Sequence, residues 1–125
     1  MGRARGIYQS LDQLVGGTPL LDVTRLFPAA VGRVVAKLEA FGPGASVKDR
    51  AGLAIIRAAE RDGRLTPGGV IVEASSGNTG IALAWVGAAL GYRVIIAIPD
   101  DQSIERRQLL AALGAEVVTT PAAEG

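Results

Sequence analysis

Val94-Ile-Ile-Ala-Ile98 is an unbroken apolar run flanked by Arg93 and Pro99, and it constrains the fold more than any other stretch. A strand that is apolar on both faces belongs inside a parallel sheet, and parallel neighbours must be joined by crossovers, usually helices. The surrounding chain supplies them. Val70 to Ala74 is a second short buried strand and Ala115 to Thr120 a third. Between them the apolar period shifts from two to three and four. A helix is predicted from Gly80 to Leu90, apolar nearly all round and therefore buried. Another is predicted from Ser103, as its cap, to Leu113. Leu90-Gly91 through Pro99 and Leu113-Gly114 through Pro121 repeat one pattern of helix end, glycine, strand, proline. Successive units of this kind imply an α/β fold, an open parallel twisted sheet with helices on both faces.

Upstream, Arg33 to Glu39 alternates as a strand does, with Val34, Ala36 and Leu38 on one side. Phe41-Gly-Pro-Gly44 breaks it. Ala51, Ala54, Ile55, Ala58 and Ala59 then mark a helix ending near Asp62-Gly63, with Ser46 as a candidate cap and Asp49 complementing the dipole. Residues 1–32 read as a polar lead-in, with a turn at Gly16-Gly17-Thr18-Pro19, and residues 33–125 as one α/β domain.

The chain has no cysteine and no histidine, which excludes thiol nucleophiles, disulfides, Cys/His zinc sites and a Ser-His-Asp triad within it. No metal site is expected. The arginines are scattered among acids without a basic block or an aromatic stacking set, so nucleic acid is not an expected partner. Met1-Gly-Arg-Ala-Arg-Gly6 lacks a following signal-type apolar stretch and a myristoylation pattern, and the longest apolar run, Ile81 to Leu90, is too short for a bilayer. A soluble cytoplasmic protein is the expectation.

Two loops at the carboxyl edge of the expected sheet carry the chemistry, where ligands of open α/β sheets bind. The first, Glu39-Ala-Phe-Gly-Pro-Gly-Ala-Ser-Val-Lys48-Asp-Arg50, delivers one of the chain's two lysines to a helix start. A cation there opposes the dipole, so Lys48 should lose its proton more readily, which suits Schiff-base chemistry. The alternative is an exposed lysine without a role. Lys37, the other lysine, sits within a strand pattern. The second loop, Glu73-Ala-Ser75-Ser76-Gly77-Asn78-Thr79-Gly80, offers hydroxyls, an amide and free backbone N–H groups to an anion, or is an ordinary strand-to-helix turn. Neither loop is a Walker loop, and GxGxxG is absent. Asp49, Arg50, Asp100-Asp101 and Glu105-Arg106-Arg107 read as caps and ion-pair partners.

Together, Gly17-Thr-Pro-Leu20, Pro43-Gly-Ala-Ser-Val-Lys-Asp-Arg50, Ser76-Gly-Asn-Thr-Gly80 and Ser103-Ile-Glu-Arg-Arg107 resemble the cysteine synthase (O-acetylserine sulfhydrylase) and cystathionine β-synthase family, over about Ile7 to Gly125. The resemblance implies pyridoxal 5'-phosphate as cofactor, in the fold type II architecture. It implies that Lys48 forms the internal aldimine and moves protons at the substrate Cα. It also implies that Asn78 hydrogen-bonds the cofactor's ring oxygen, and that Ser75, Ser76, Gly77, Asn78 and Thr79 bind the substrate, their hydroxyls and the helix start taking its carboxylate. The implied reaction is β-replacement on an O-activated serine with a sulfur donor, in an enzyme usually homodimeric. Gly42 stands where the family usually has Asn, and Ala74-Ser75 where it usually has Pro-Thr. The family's phosphate loop and pyridine-nitrogen partner lie downstream of Gly125, so an N-terminal fragment, inactive or barely active alone, is expected. Cystathionine β-synthase, serine/threonine dehydratase and threonine synthase are alternatives within the fold. A non-catalytic binding module is the alternative outside it.

Overall fold

In the computed structural model the described residues are 6–124. The basic stretch from Met1 to Arg5 and the terminal Gly125 lie outside them.

The strands expected around Val94–Ile98 form a three-stranded parallel sheet. Its members are β3 (Val70–Ala74), β4 (Arg93–Pro99) and β5 (Glu116–Thr120), in the order β3-β4-β5. Ile71 lies opposite Val94, and Ile96 opposite Val117. Three helices accompany it: α1 (Lys48–Arg61), α2 (Asn78–Ala89) and α3 (Ile104–Ala112).

Alternation along β4 decides where the core sits. Val94, Ile96 and Ile98 point one way and pack with Ala84 of α2, Leu110 of α3 and Ala115, flanked by Ile71 and Val117. A second cluster joins Ile56 of α1 to Leu83, Trp85 and Val86 of α2. α2 is thus shared by both clusters and is buried from Gly80 to Gly87 apart from the half-buried Ile81, as a helix apolar all round requires. On the opposite face of the sheet, Val72 and Val118 are 67% and 43% exposed.

Three elements differ from the sequence expectation. β3, read as a buried strand, is covered on one side only, with Val70 and Val72 exposed on the other. The strand read over Arg33–Glu39 is shorter, β2 (Val35–Lys37), and it does not join the parallel sheet. It pairs antiparallel with β1 (Leu20–Asp22), Leu21 opposite Ala36. Alternation identifies a strand but not its partner. The helix expected from Gly80 begins two residues earlier, at Asn78, because its first turn is closed from outside: Ser75 Oγ accepts the Gly80 N–H at 3.1 Å. No helix among the described residues is long and apolar enough to cross a membrane.

Candidate active site

The two loops end on helix starts. Lys48 is the first residue of α1, and Asn78 the first of α2. The helices touch one turn further on, where a Cβ on Gly52 would lie 3.0 Å from that of Ala82. Gly52 follows Lys48 by four residues and Ala82 follows Asn78 by four, so each site residue stands about one helical turn before a shared contact.

Lys48 is exposed, and its Nζ has no hydrogen-bond or ion-pair partner among the described residues. Its backbone N–H donates to Ser46 Oγ at 3.2 Å. Ser46 is therefore not the cap that the sequence suggested: the capping position is Val47, which makes no side-chain capping bond, and Ser46 engages the chain one residue before it. The Asn78 amide and the Ser76 and Thr79 hydroxyls likewise have no partner among the described residues. Polar groups left unpaired at a helix start are available to a ligand.

Ser75 is arranged differently. Its Oγ accepts from Gly80 N–H at 3.1 Å and Gly77 N–H at 3.4 Å, so its oxygen staples the loop to α2. The first turn of α2 carries no acidic residue, which leaves its N-terminal potential free to attract an anion. Close packing holds that turn against the sheet: a Cβ on Gly80 would lie 2.5 Å from Ser75 O and 3.4 Å from Ile96 Cγ2.

A cavity of about 270 Å³ opens at the carboxyl ends of the three strands, lined by Ala74, Ser75, Ser76, Ala97, Pro99 and Thr120. Ser75 and Ser76 are thereby brought together on it. Lys48, Asn78 and Thr79 are not among its lining residues.

Four residues beyond those that the sequence assigns to the site hold these loops, in roles that local pattern did not reveal. Arg106 of α3 donates to the Ser76 carbonyl. The buried Thr18 donates to Glu39 Oε1 at 2.7 Å, and Arg50 Nη2 donates to Thr18 Oγ1 at 3.1 Å. Trp85 donates from Nε1 to Asp49 Oδ1 at 3.0 Å. The quoted motifs contain Thr18 and Arg106, but nothing local marks their partners. Asp49, read as a dipole acid, is instead a buried acceptor.

The donor set suits pyridoxal phosphate: an unpaired primary amine for its aldehyde, and an unpaired amide for its ring oxygen. Lys48 and Asn78 would hold the group.

The family model described as "Pyridoxal-phosphate dependent enzyme" matches residues 11–125. The chain is 49% identical over 115 residues to a cysteine synthase from Staphylococcus aureus, covering 92% of this chain and 37% of that protein. A crystal structure of cysteine synthase from Entamoeba histolytica superimposes with a TM-score of 0.88 at 44% identity, over 100% of this chain and 38% of its own. A crystal structure of O-ureido-L-serine synthase gives a TM-score of 0.88 at 43% identity, over 96% and 38%. The chain thus spans little more than a third of the length of the relatives it matches. With the family model covering almost every residue described and the two loops in place, the chain belongs to the pyridoxal-phosphate dependent enzymes.

Proposed function

We propose that this chain carries the lysine and substrate loops of a cysteine synthase. Such an enzyme exchanges the activated oxygen on Cβ of an O-activated L-serine for sulfur. The observation that supports this most is the pairing of an exposed, unpartnered Lys48 Nζ with unpartnered Asn78, Ser76 and Thr79 groups at a neighbouring helix start.

Pyridoxal phosphate, when bound, supplies an electron sink for the pair left on Cα as its proton departs. In this reading Asn78 holds the ring, while Ser76, Thr79 and the N–H groups of the α2 start hold the substrate carboxylate. Ser75 and Gly77 keep that loop in shape. Lys48 Nζ holds the cofactor, takes the Cα proton, and returns one to Cα once sulfur has replaced the leaving oxygen at Cβ. Homodimerisation and a cytoplasmic location belong to the same reading, and sedimentation of the purified protein checks the first.

The test compares wild type with Lys48→Ala, adding pyridoxal phosphate and following the visible absorbance of lysine-bound cofactor, then O-acetylserine and sulfide. Carried in a polypeptide as long as its relatives, the wild type is expected to develop the band and form cysteine, and Lys48→Ala to lose the band and about 10²–10⁴-fold of the rate, whereas this chain by itself is expected to form cysteine barely or not at all. A band of equal strength in Lys48→Ala overturns the assignment. A second reading keeps the same site but a nucleophile other than sulfur. It is favoured by the O-ureido-L-serine synthase, whose TM-score of 0.88 equals that of the cysteine synthase. Competition between sulfide and other nucleophiles for the same serine ester separates the two.

A further inference from the structure

Asp49 follows the exposed Lys48 and is itself only 2% exposed. Its two oxygens serve different parts of the molecule. Oδ1 accepts the Trp85 Nε1–H of α2 at 3.0 Å, and Oδ2 accepts the Gly44 N–H of the lysine loop at 2.9 Å. One carboxylate therefore joins the loop, the first turn of α1 and the middle of α2.

The loop is wrapped closely around that carboxylate. A Cβ on Gly44 would lie 2.2 Å from Asp49 Oδ1 and 2.6 Å from Trp85 Nε1, and one on Gly42 would lie 2.4 Å from Oδ2. Asn, which the family usually has where Gly42 stands, would not fit this arrangement without movement. Beside it Ala45 has φ of 57°, a left-handed conformation that a non-glycine residue keeps only when its surroundings impose it. The loop also has room to relax. An apolar cavity of about 260 Å³ borders Pro43, Gly44 and Ala45, with Ile81, Trp85 and Leu109 also lining it.

We propose that Asp49 is a positioning residue for Lys48: bridging Trp85 and Gly44, its carboxylate fixes the loop from which the lysine departs and so aims Nζ. The proposal rests on the reading of Lys48 given above. With both oxygens engaged and the side chain buried, Asp49 acts through the loop and does not touch cofactor or substrate. A carboxylate is required because two N–H donors converge on it. An amide offers one acceptor and one NH₂, so in Asp49→Asn one donor is left facing another donor. Removing the indole donor with Trp85→Phe relieves that conflict, so the two substitutions are non-additive.

The experiment uses wild type, D49N, W85F, the double variant W85F/D49N, and K48A, each mixed with pyridoxal phosphate. Three readouts are taken: the rate at which the visible band appears, with borohydride trapping to place the cofactor on Lys48; the visible circular dichroism of the band, which reports how the ring is held; and the emission of Trp85, the chain's only tryptophan. Thermal unfolding is recorded alongside.

D49N is expected to take up cofactor about tenfold more slowly, the scale of one buried donor left unpaired. Its visible circular dichroism should be weaker and its Trp85 emission shifted. W85F should slow uptake by about threefold, and the double variant should be faster than D49N by about threefold. A merely structural role would lower the melting temperature and leave rate and dichroism of the folded protein unchanged. D49N within about twofold of wild type, or a double variant as slow as the product of the singles, overturns the proposal. If D49N does not fold, W85F decides: a wild-type rate and dichroism overturn it as well. A band retained in K48A removes the Lys48 reading and this proposal together. A band lost in K48A but acquired normally by D49N removes only the role of Asp49.

Discussion

Arg50 holds Glu39 by two hydrogen bonds, Nε to Oε2 at 2.9 Å and Nη2 to Oε1 at 3.0 Å, and the two residues stand at either end of the lysine loop. Thr18 completes the clasp by donating to Glu39 Oε1, which ties the Gly17–Leu20 segment to the same point. The Arg50 bonds, followed by that of Thr18, hold the Glu39 carboxyl down from 4.5 to about 2. Because this pKa is depressed in the fold, the stability it brings is present above the ordinary value and is lost as pH falls. Wild type is therefore expected to melt above Glu39→Gln at neutral pH, with the gap closing between about 4.5 and about 2. Arg50→Lys keeps the charge but loses the fork, and should melt between the two while Glu39 is ionised, the difference vanishing at low pH with the gap itself. Thermal melts of the three proteins across pH check this, and a gap independent of pH would contradict it.

Gly80 lets the first turn of α2 lie against the end of β3. Its substitution by Ala puts a methyl 2.5 Å from the Ser75 carbonyl, a backbone atom that cannot swing aside. Gly80→Ala is expected to cost about 1–3 kcal/mol in urea unfolding. It should also displace the Ser75–Gly77 loop, since the same turn supplies the N–H that Ser75 Oγ accepts.

The two faces of the sheet predict opposite responses to truncation. Ile96 is fully buried between α2 and α3, and Ile96→Ala should lose about 2–5 kcal/mol through transfer and cavity terms. Val72 faces the other way, and Val72→Thr should stay within about 0.5 kcal/mol. Denaturant midpoints for the two variants test whether the core lies where the alternation of β4 puts it.

How much of this is legible in the sequence follows the range of each interaction. β4 and the helix α1 show there because period and composition are local signals. The pairing of β2 with β1 does not, because partner choice depends on residues 13 or more positions away, as with Asp22 and Val35. Asn78 and Thr79 read as loop because the bond that starts their helix comes from Ser75, outside it. Asp49 looks like any acid in a first helical turn until Trp85, 36 residues on, is seen to cover it. Lys48 stands out early for a compositional reason, being one of two lysines and the one at a helix start.

Arg106 braces the second loop from another element. It reaches from α3 to the Ser76 carbonyl, and also to Gln102 Oε1 at 3.4 Å. Ser75 already staples the loop from inside through Gly77 and Gly80, so Arg106 braces it from outside. Removing the brace leaves Lys48 and Asp49 untouched, because neither bonds to Arg106 among the described residues. Arg106→Ala is therefore expected to leave the rate and spectrum of cofactor uptake at wild-type values. It should raise KM for the amino-acid substrate about 3–10-fold, the scale of one charge-assisted hydrogen bond lost from a positioning loop. Arg106→Lys, with a shorter and unforked donor, should fall between. Steady-state kinetics beside cofactor titration, in a polypeptide as long as the relatives, separates the two effects. A KM unchanged in Arg106→Ala would mean that the Ser75 staple alone holds the loop.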